Sequence, residues 1–368
     1  MSKQHMPQEL VAETLSRVPI KDLIRFQCVS KAWRDLICDR SFVEKYRNTS
    51  RGKFVGFYEK GLCLLDMEAD TDTAGTEPWN IECPFEEMVD ESVCVLHCHG
   101  MLCLTLKNQG LAVWHPYSKE FKIIPNPGIH RESNILGFGY DRFSDDYKIV
   151  TFVDKIDSST VYIFEFESNS WRESIRIPCP DWHYRDRKGI FLDRNLYWMA
   201  YRSSQDRFVL CYNLTTHEYQ KLSLPVNSQG TRSSWLGIMG KNLCLTEFEP
   251  LNQEITISVM EKTDAQPGSW NKVTTVSTSC MISSAPDNYD YFIDFVSLTK
   301  NNNIILTLTG DFAGYFDGSR GYERTKKKAF LYRIRDRKFE QVRFRDSLTG
   351  LRLVERYVES PVVNRIFI

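Results

Sequence analysis

A chain of 368 residues, 42% hydrophobic and 26% charged, carries enough apolar material for one small and one large domain and is too apolar to be a disordered chain. Its net charge of -1 gives no general attraction to nucleic acid or to a membrane surface, and no apolar run approaches the ~20 residues of a membrane-spanning helix. The eleven cysteines are an odd number scattered in apolar runs, and the polar start MSKQHMPQEL lacks a signal-peptide pattern, so buried free thiols in a reducing compartment are expected.

Residues 7–37 have helical period. Val11, Leu15 and Val18 fall at i, i+4 and i+7, on one helix face. Pro7 suits the start of that helix and Val18-Pro19 ends it, because the residue before a proline is pushed out of the α region. Pro19 suits the start of a second helix with Leu23 and Phe26. Ser30 is an N-cap for a third, bearing Trp33, Leu36 and Ile37. Three short helices with so large an apolar load are marginal alone, so the excess surface must pack on the rest of the chain or on a partner.

From Phe54 onward the texture changes to short apolar runs separated by turn residues. A repeat emerges, with aromatics Phe121, Trp171, Tyr219, Trp270 and Phe339 in equivalent turns. The first three spacings are 50, 48 and 51 residues, and the last is stretched to 69 by an insertion at 310–328. An all-strand repeat near fifty residues predicts propeller blades of divergent kelch size, without the kelch double glycine. An incomplete unit at 54–66 is completed by the strand near Tyr357–Pro361, closing a ring of six blades and removing exposed edges. Two stacked β-sandwich sheets are the alternative, disfavoured by the even spacing. The expected division is a helical head at 3–46, a linker at 47–53 and a propeller at 54–368.

The helical stretch PQELVAETLSRVPIKDLIRFQCVSKAWRDLI resembles the F-box motif, with Met6 and Val18 where leucine is usual. The phrases CHGMLCL (98–104), WHPYSKEFKIIP (114–125), GFGYDRFSDDYKIV (137–150) and YVESPV (357–362) are similar to the F-box-associated interaction domain, type 1, of plant F-box proteins, a group that includes the S-locus F-box proteins of pollen. The resemblance implies that the head docks a Skp-family adaptor, which hangs from a cullin scaffold with its RING subunit in an SCF ubiquitin ligase. It also implies that the propeller holds a protein substrate. Adaptor contacts are expected at Pro7, Leu10, Leu15, Pro19, Leu23, Phe26, Val29, Trp33 and Leu36. The cytoplasm is the expected compartment, with the nucleus open as well.

Cys94, His97, Cys98, His99 and Cys103 suggest a metal site, but no second pair with zinc spacing exists, so they read as two strands around a His99-Gly100 turn. Nucleophile elbow, phosphate loop and Asp box are absent, and no catalysis, cofactor or metal is expected. Charge is uneven. Residues 66–92 hold ten acids and no Lys or Arg; residues 320–356 hold thirteen basic residues and five acids. The two inserts are read either as solvated surface or as a recognition rim for protein cargo, with Trp79, Phe85, Glu86 and Glu87 on one and Phe312, Tyr315, Phe316, Tyr322 and Arg324 on the other. An acidic contact suits a basic self-incompatibility ribonuclease as cargo. The other readings are an adaptor-bound scaffold that degrades nothing, and a glycan-binding or catalytic propeller with convergent carboxylates in its central pocket.

Overall fold

The computed structural model describes residues 7–50, 52–58, 61–66, 79–89, 93–107, 110–125, 135–155, 158–178, 183–184, 188–203, 206–225, 233–261, 268–279, 289–299, 301, 303–316, 319–342 and 351–361. The side chains of Glu86 and of the strand residues at 308–316 and 319–328 lie outside what is described.

The head has four helices: α1 (Gln8–Leu15), α2 (Ile20–Phe26), α3 (Lys31–Ile37) and α4 (Arg40–Thr49). Pro7 and Pro19 precede α1 and α2, and the Ser30 hydroxyl accepts a hydrogen bond from Trp33 N–H to cap α3. The fourth helix was not anticipated. Asp39 caps it, accepting from Ser41 and Phe42 N–H, and it runs through residues 47–49, which the sequence reading assigned to a linker. Leu15, Ile20, Leu23, Ile37, Phe42 and Tyr46 form the head core.

Six antiparallel sheets follow among the described residues, each of four strands, in chain order along the sheet in every blade but the first, and the fourth blade adds a short fifth. The first blade is closed by the far end of the chain: strand Arg352–Val358 pairs with Gly52–Tyr58 on its inner side. This is the closure expected from the 54–66 unit. An apolar cluster lies at each junction between neighbouring blades, so each blade buries both faces.

The repeating aromatics have a geometric cause. Lys119, Asn169, His217 and Arg337 all have positive φ, and each lies two residues before one of them, at Phe121, Trp171, Tyr219 and Phe339. The same left-handed hairpin residue therefore sets the start of the outer strand in four blades. Two of the aromatics then stitch blades together: Trp171 Nε1–H donates to Pro125 O at 2.8 Å, and Trp270 Nε1–H to Ser223 O at 2.7 Å.

The insertion at 310–328 belongs to a paired hairpin. Strands Ile304–Phe316 and Ser319–Arg333 lengthen the two middle strands of the sixth blade. Among the described residues, register with the inner strand runs to Tyr289↔Phe312, and the two hairpin strands pair with each other on to Phe316↔Ser319.

Candidate functional site

The head sits on one rim of the propeller, and the resemblance-bearing phrases converge on that seam. Every residue of Tyr357-Val358-Glu359-Ser360-Pro361 has a partner there. Tyr357 O–H donates to Gly100 O at 2.9 Å, and His97 Nε2 lies 3.0 Å from Val358 O and 3.2 Å from Val358 N. Glu359 pairs with Lys53 Nζ at 2.6 Å and accepts from Tyr117 O–H. His115 Nδ1 accepts from Ser118 N–H at 3.1 Å, which leaves Nε2–H to donate to Ser360 O at 3.1 Å. Pro361 O accepts from Gln27 Nε2 of the head at 2.7 Å. Gly100 is required at its turn: its φ is +83°, and a Cβ would stand 2.9 Å from Ser360 N.

Further contacts mount the head. Lys21 Nζ of α2 lies 4.1 Å above the Trp79 ring, which stacks on Tyr117 at 4.6 Å. Tyr117 also packs against the head core, and Arg142 of the third blade pairs with Glu44 of α4 at 3.3 Å. Burial and the neighbouring Glu359 push the Tyr46 phenol up, so it stays protonated and donates to Val18 O at 3.1 Å. Lys21, Gln27, Glu44, Lys53, Tyr117 and Glu359 escaped the sequence reading. The phrase YVESPV carried the signal, but as a family mark its role was unreadable.

The GFGYDRFSDDYKIV phrase is structural as well. Asp141 and Lys148 form a buried pair at 2.8 Å, with Lys148 also donating to Leu214 O and Thr215 Oγ1 donating to Asp141. Burial alone would raise the Asp141 carboxyl, but Lys148, Thr215, Ser144 and the Phe143 N–H all donate to it and hold it down to about 2. The pair ties the third blade to the fourth.

The expected adaptor contacts divide into three groups. Leu15 and Leu23 are buried in the head core, because the i, i+4 stripe of so small a bundle points inward. Phe26, Trp33 and Leu36 are half-buried, with Phe26 edge-on to Trp33 at 5.4 Å. Pro7, Leu10, Pro19 and Val29 are exposed, Leu10 by 57% and Val29 by 61%.

The expected cargo contacts are not brought together. Phe85 is only 4% exposed and meets Trp114 and Phe121 edge-on, so it is a core residue of the first and second blades. Trp79 belongs to the head seam. Glu87 is exposed, and Glu86 has its side chain outside the description. The basic hairpin pairs Phe312 with Glu323, Tyr315 with Arg320, Ala313 with Tyr322 and Asp311 with Arg324 along the backbone, and the side chains of Phe316 and its neighbours lie outside the described ones. Asp66 and Trp79 flank the third-to-fourth-strand connection of the first blade, on the head rim. The hairpin joins the second and third strands of the sixth blade, on the other rim. Strand order thus sets the described ends of the acidic stretch, Asp66 and Trp79, and the described strands of the basic hairpin on opposite rims.

The run at 94–103 is two strands, Val95–Cys98 and Met101–Thr105, around the expected turn. No metal-holding cluster occurs among the described residues, and all nine described cysteines are free, with Cys28 and Cys38 exposed rather than buried. None of the described helices is long and apolar enough to cross a membrane.

Two family models match this chain: an F-box domain over residues 4–45 and an F-box associated beta propeller domain over residues 66–363. F-box protein At3g16210 of Arabidopsis thaliana is 54% identical over 370 residues, spanning both chains entirely. From the same plant, F-box protein At2g17830 is 26% identical, covering 86% of this chain and 90% of its own. F-box/WD-40 repeat-containing protein 1 is 27% identical, covering 82% and 76% respectively. A four-helix head bolted to a six-bladed ring through its YVESP segment, matched along almost its whole length, makes this chain a member of the F-box proteins with an F-box associated beta propeller domain.

Proposed function

We propose that this chain is the substrate-recognition subunit of an SCF-type cullin–RING ubiquitin ligase. The head docks a Skp-family adaptor, and the propeller holds a protein for ubiquitination by the other subunits. The observation that supports this best is the head's uncovered apolar surface. Leu10 and Val29 stay more than half exposed although the head is already packed on the propeller, so the excess is not absorbed internally. The chain supplies position rather than chemistry, raising the effective concentration of cargo near the transfer machinery.

The glycan-binding or catalytic propeller has less support, because cations outnumber carboxylates in the central cavity among the described residues. The self-incompatibility reading rests on the acidic stretch 66–92 alone, of which residues 67–78 and 90–92 lie outside the described ones.

The test is adaptor capture by the full chain. Leu10→Asp with Val29→Asp is expected to weaken Skp binding at least tenfold while circular dichroism and elution volume stay unchanged. Leu23→Ala, in contrast, leaves a core cavity costing about 2–5 kcal/mol and melts the head. Unaltered adaptor binding by the folded double variant sinks the assignment of that surface. Accumulation of a bound partner under proteasome inhibition separates a ligase from a scaffold.

A further inference from the structure

A cavity of about 1270 Å³ runs through the centre of the ring, and α4 of the head forms part of its wall. Its cationic side chains are Arg47, Arg142, Lys188, Lys241, Arg352 and Arg356, set against three carboxylates, a surplus of three positive charges. Some of these cations are engaged. Lys188 meets Glu355 at 3.2 Å, Arg142 meets Glu44 at 3.3 Å, and Arg352 donates to Val93 O at 3.3 Å. Glu44 is shared between Arg142 and Arg40, the latter at 3.4 Å, and its charge also acts on Arg47 without pairing with it.

Arg47 is different. It comes from α4 and faces the cavity near Cys98 and Tyr147, and among the described residues no hydrogen bond or ion pair satisfies its guanidinium. Burial lowers the pKa of that guanidinium, which nonetheless stays charged. The two cavity histidines do not add to the surplus. Burial, helped by Arg47 and Arg356 for His97 and by Arg47 and Arg142 for His99, keeps both neutral at pH 7. Arg47 is half-buried and none of its nitrogens is sealed from the cavity, so its five donors stay open to an anion there.

We propose that the head-side end of this cavity binds a small, multiply charged phosphate compound of diphosphate type, held by Arg47 of the head together with Arg142 and Lys241 of the propeller. A single carboxylate would offset only one of the three surplus charges, whereas a diphosphate supplies several acceptors for convergent arginines. The volume exceeds that of typical small-molecule sites, so a larger organic moiety can be carried along with the phosphates. Because Arg47 and Arg142 come from different domains, the bound anion would link head and ring.

The experiment is isothermal titration of the purified full chain with sodium pyrophosphate at constant ionic strength, with citrate and sodium sulfate as separate titrants. The expected result is saturable pyrophosphate binding, at least tenfold tighter than sulfate or citrate, and a tenfold or greater loss in Arg47→Gln. Arg47→Lys should retain most of it. Lys241→Gln, on an exposed turn outside the seam, should weaken binding several-fold even if Arg47→Gln disturbs the head. No saturable binding to the wild type overturns the proposal. So does equal affinity for citrate, or undiminished binding in both the Arg47→Gln and Lys241→Gln chains.

Discussion

Tyr357→Ala should cost roughly 4–8 kcal/mol and open the ring. Tyr357 is fully buried, and truncating a buried aromatic costs about 3–5 kcal/mol through lost transfer energy and the cavity left behind. Its hydroxyl also donates to Gly100 O, and removing it leaves a buried carbonyl unsatisfied, which adds about 1–3 kcal/mol. The residue stacks on Tyr117 and meets His97 edge-on, so its loss loosens the closing strand, the second blade and the head mount together. Urea unfolding monitored by tryptophan fluorescence gives the size of the effect. Tyr357→Phe keeps the ring and should lose only the hydroxyl's share. If the two variants are equally stable, the packing attributed to this side chain is not what closes the propeller.

Acid should release the same latch. His97 and His115 are pushed down to about 4, chiefly by burial; at His97 the nearby positive charges of Arg356 and Arg47 add to this. The sign follows from comparing the two states. The unfolded chain takes up a proton on each histidine near pH 6.5, while the folded chain refuses it until about pH 4. Their contribution is therefore whole above pH 6.5 and is lost as pH falls from 6.5 towards 4, by roughly 3 kcal/mol for each histidine. Asp141, held at about 2, loses its share only below pH 4, so the two windows separate. Urea midpoints measured from pH 7.5 to 4.5 should fall steeply below 6.5, and His115→Gln should flatten the curve by about half. A wild-type midpoint that does not move between pH 7 and 5 would show that these imidazoles are not held neutral by the fold.

Much of the architecture was legible because it depends on local rules. The helix boundaries follow from Pro7, Pro19 and Ser30, whose backbone chemistry acts within three residues. The blade count follows from the even spacing of the turn aromatics, and in four blades the turn has a left-handed residue two positions before the aromatic. The fourth helix was hidden because its cap, Asp39, follows only two residues after Ile37, and its apolar face reads as an extension of the third.

Burial at the candidate sites was not legible, because it depends on what lies across the seam. Leu10 and Leu15 look alike in sequence; only the packing of α1 against its neighbours puts one in water and the other in the core. Phe85 sits in an acidic stretch that suggests an exposed loop, yet the Trp114 ring takes it up. The opposed charges of 66–92 and 320–356 suggested one recognition surface, and strand order separates the start of the first from the hairpin of the second. The sequence by itself determined the two-domain plan, the ring of blades and the kinship, since these rest on short-range patterns repeated along the chain. Only the tertiary structure decided that YVESP is the rivet joining ring and head, and that Arg47 looks into the central cavity with no hydrogen bond or ion pair among the described residues. Both are properties of residues hundreds of positions apart, whose energies exist only once the ring has closed.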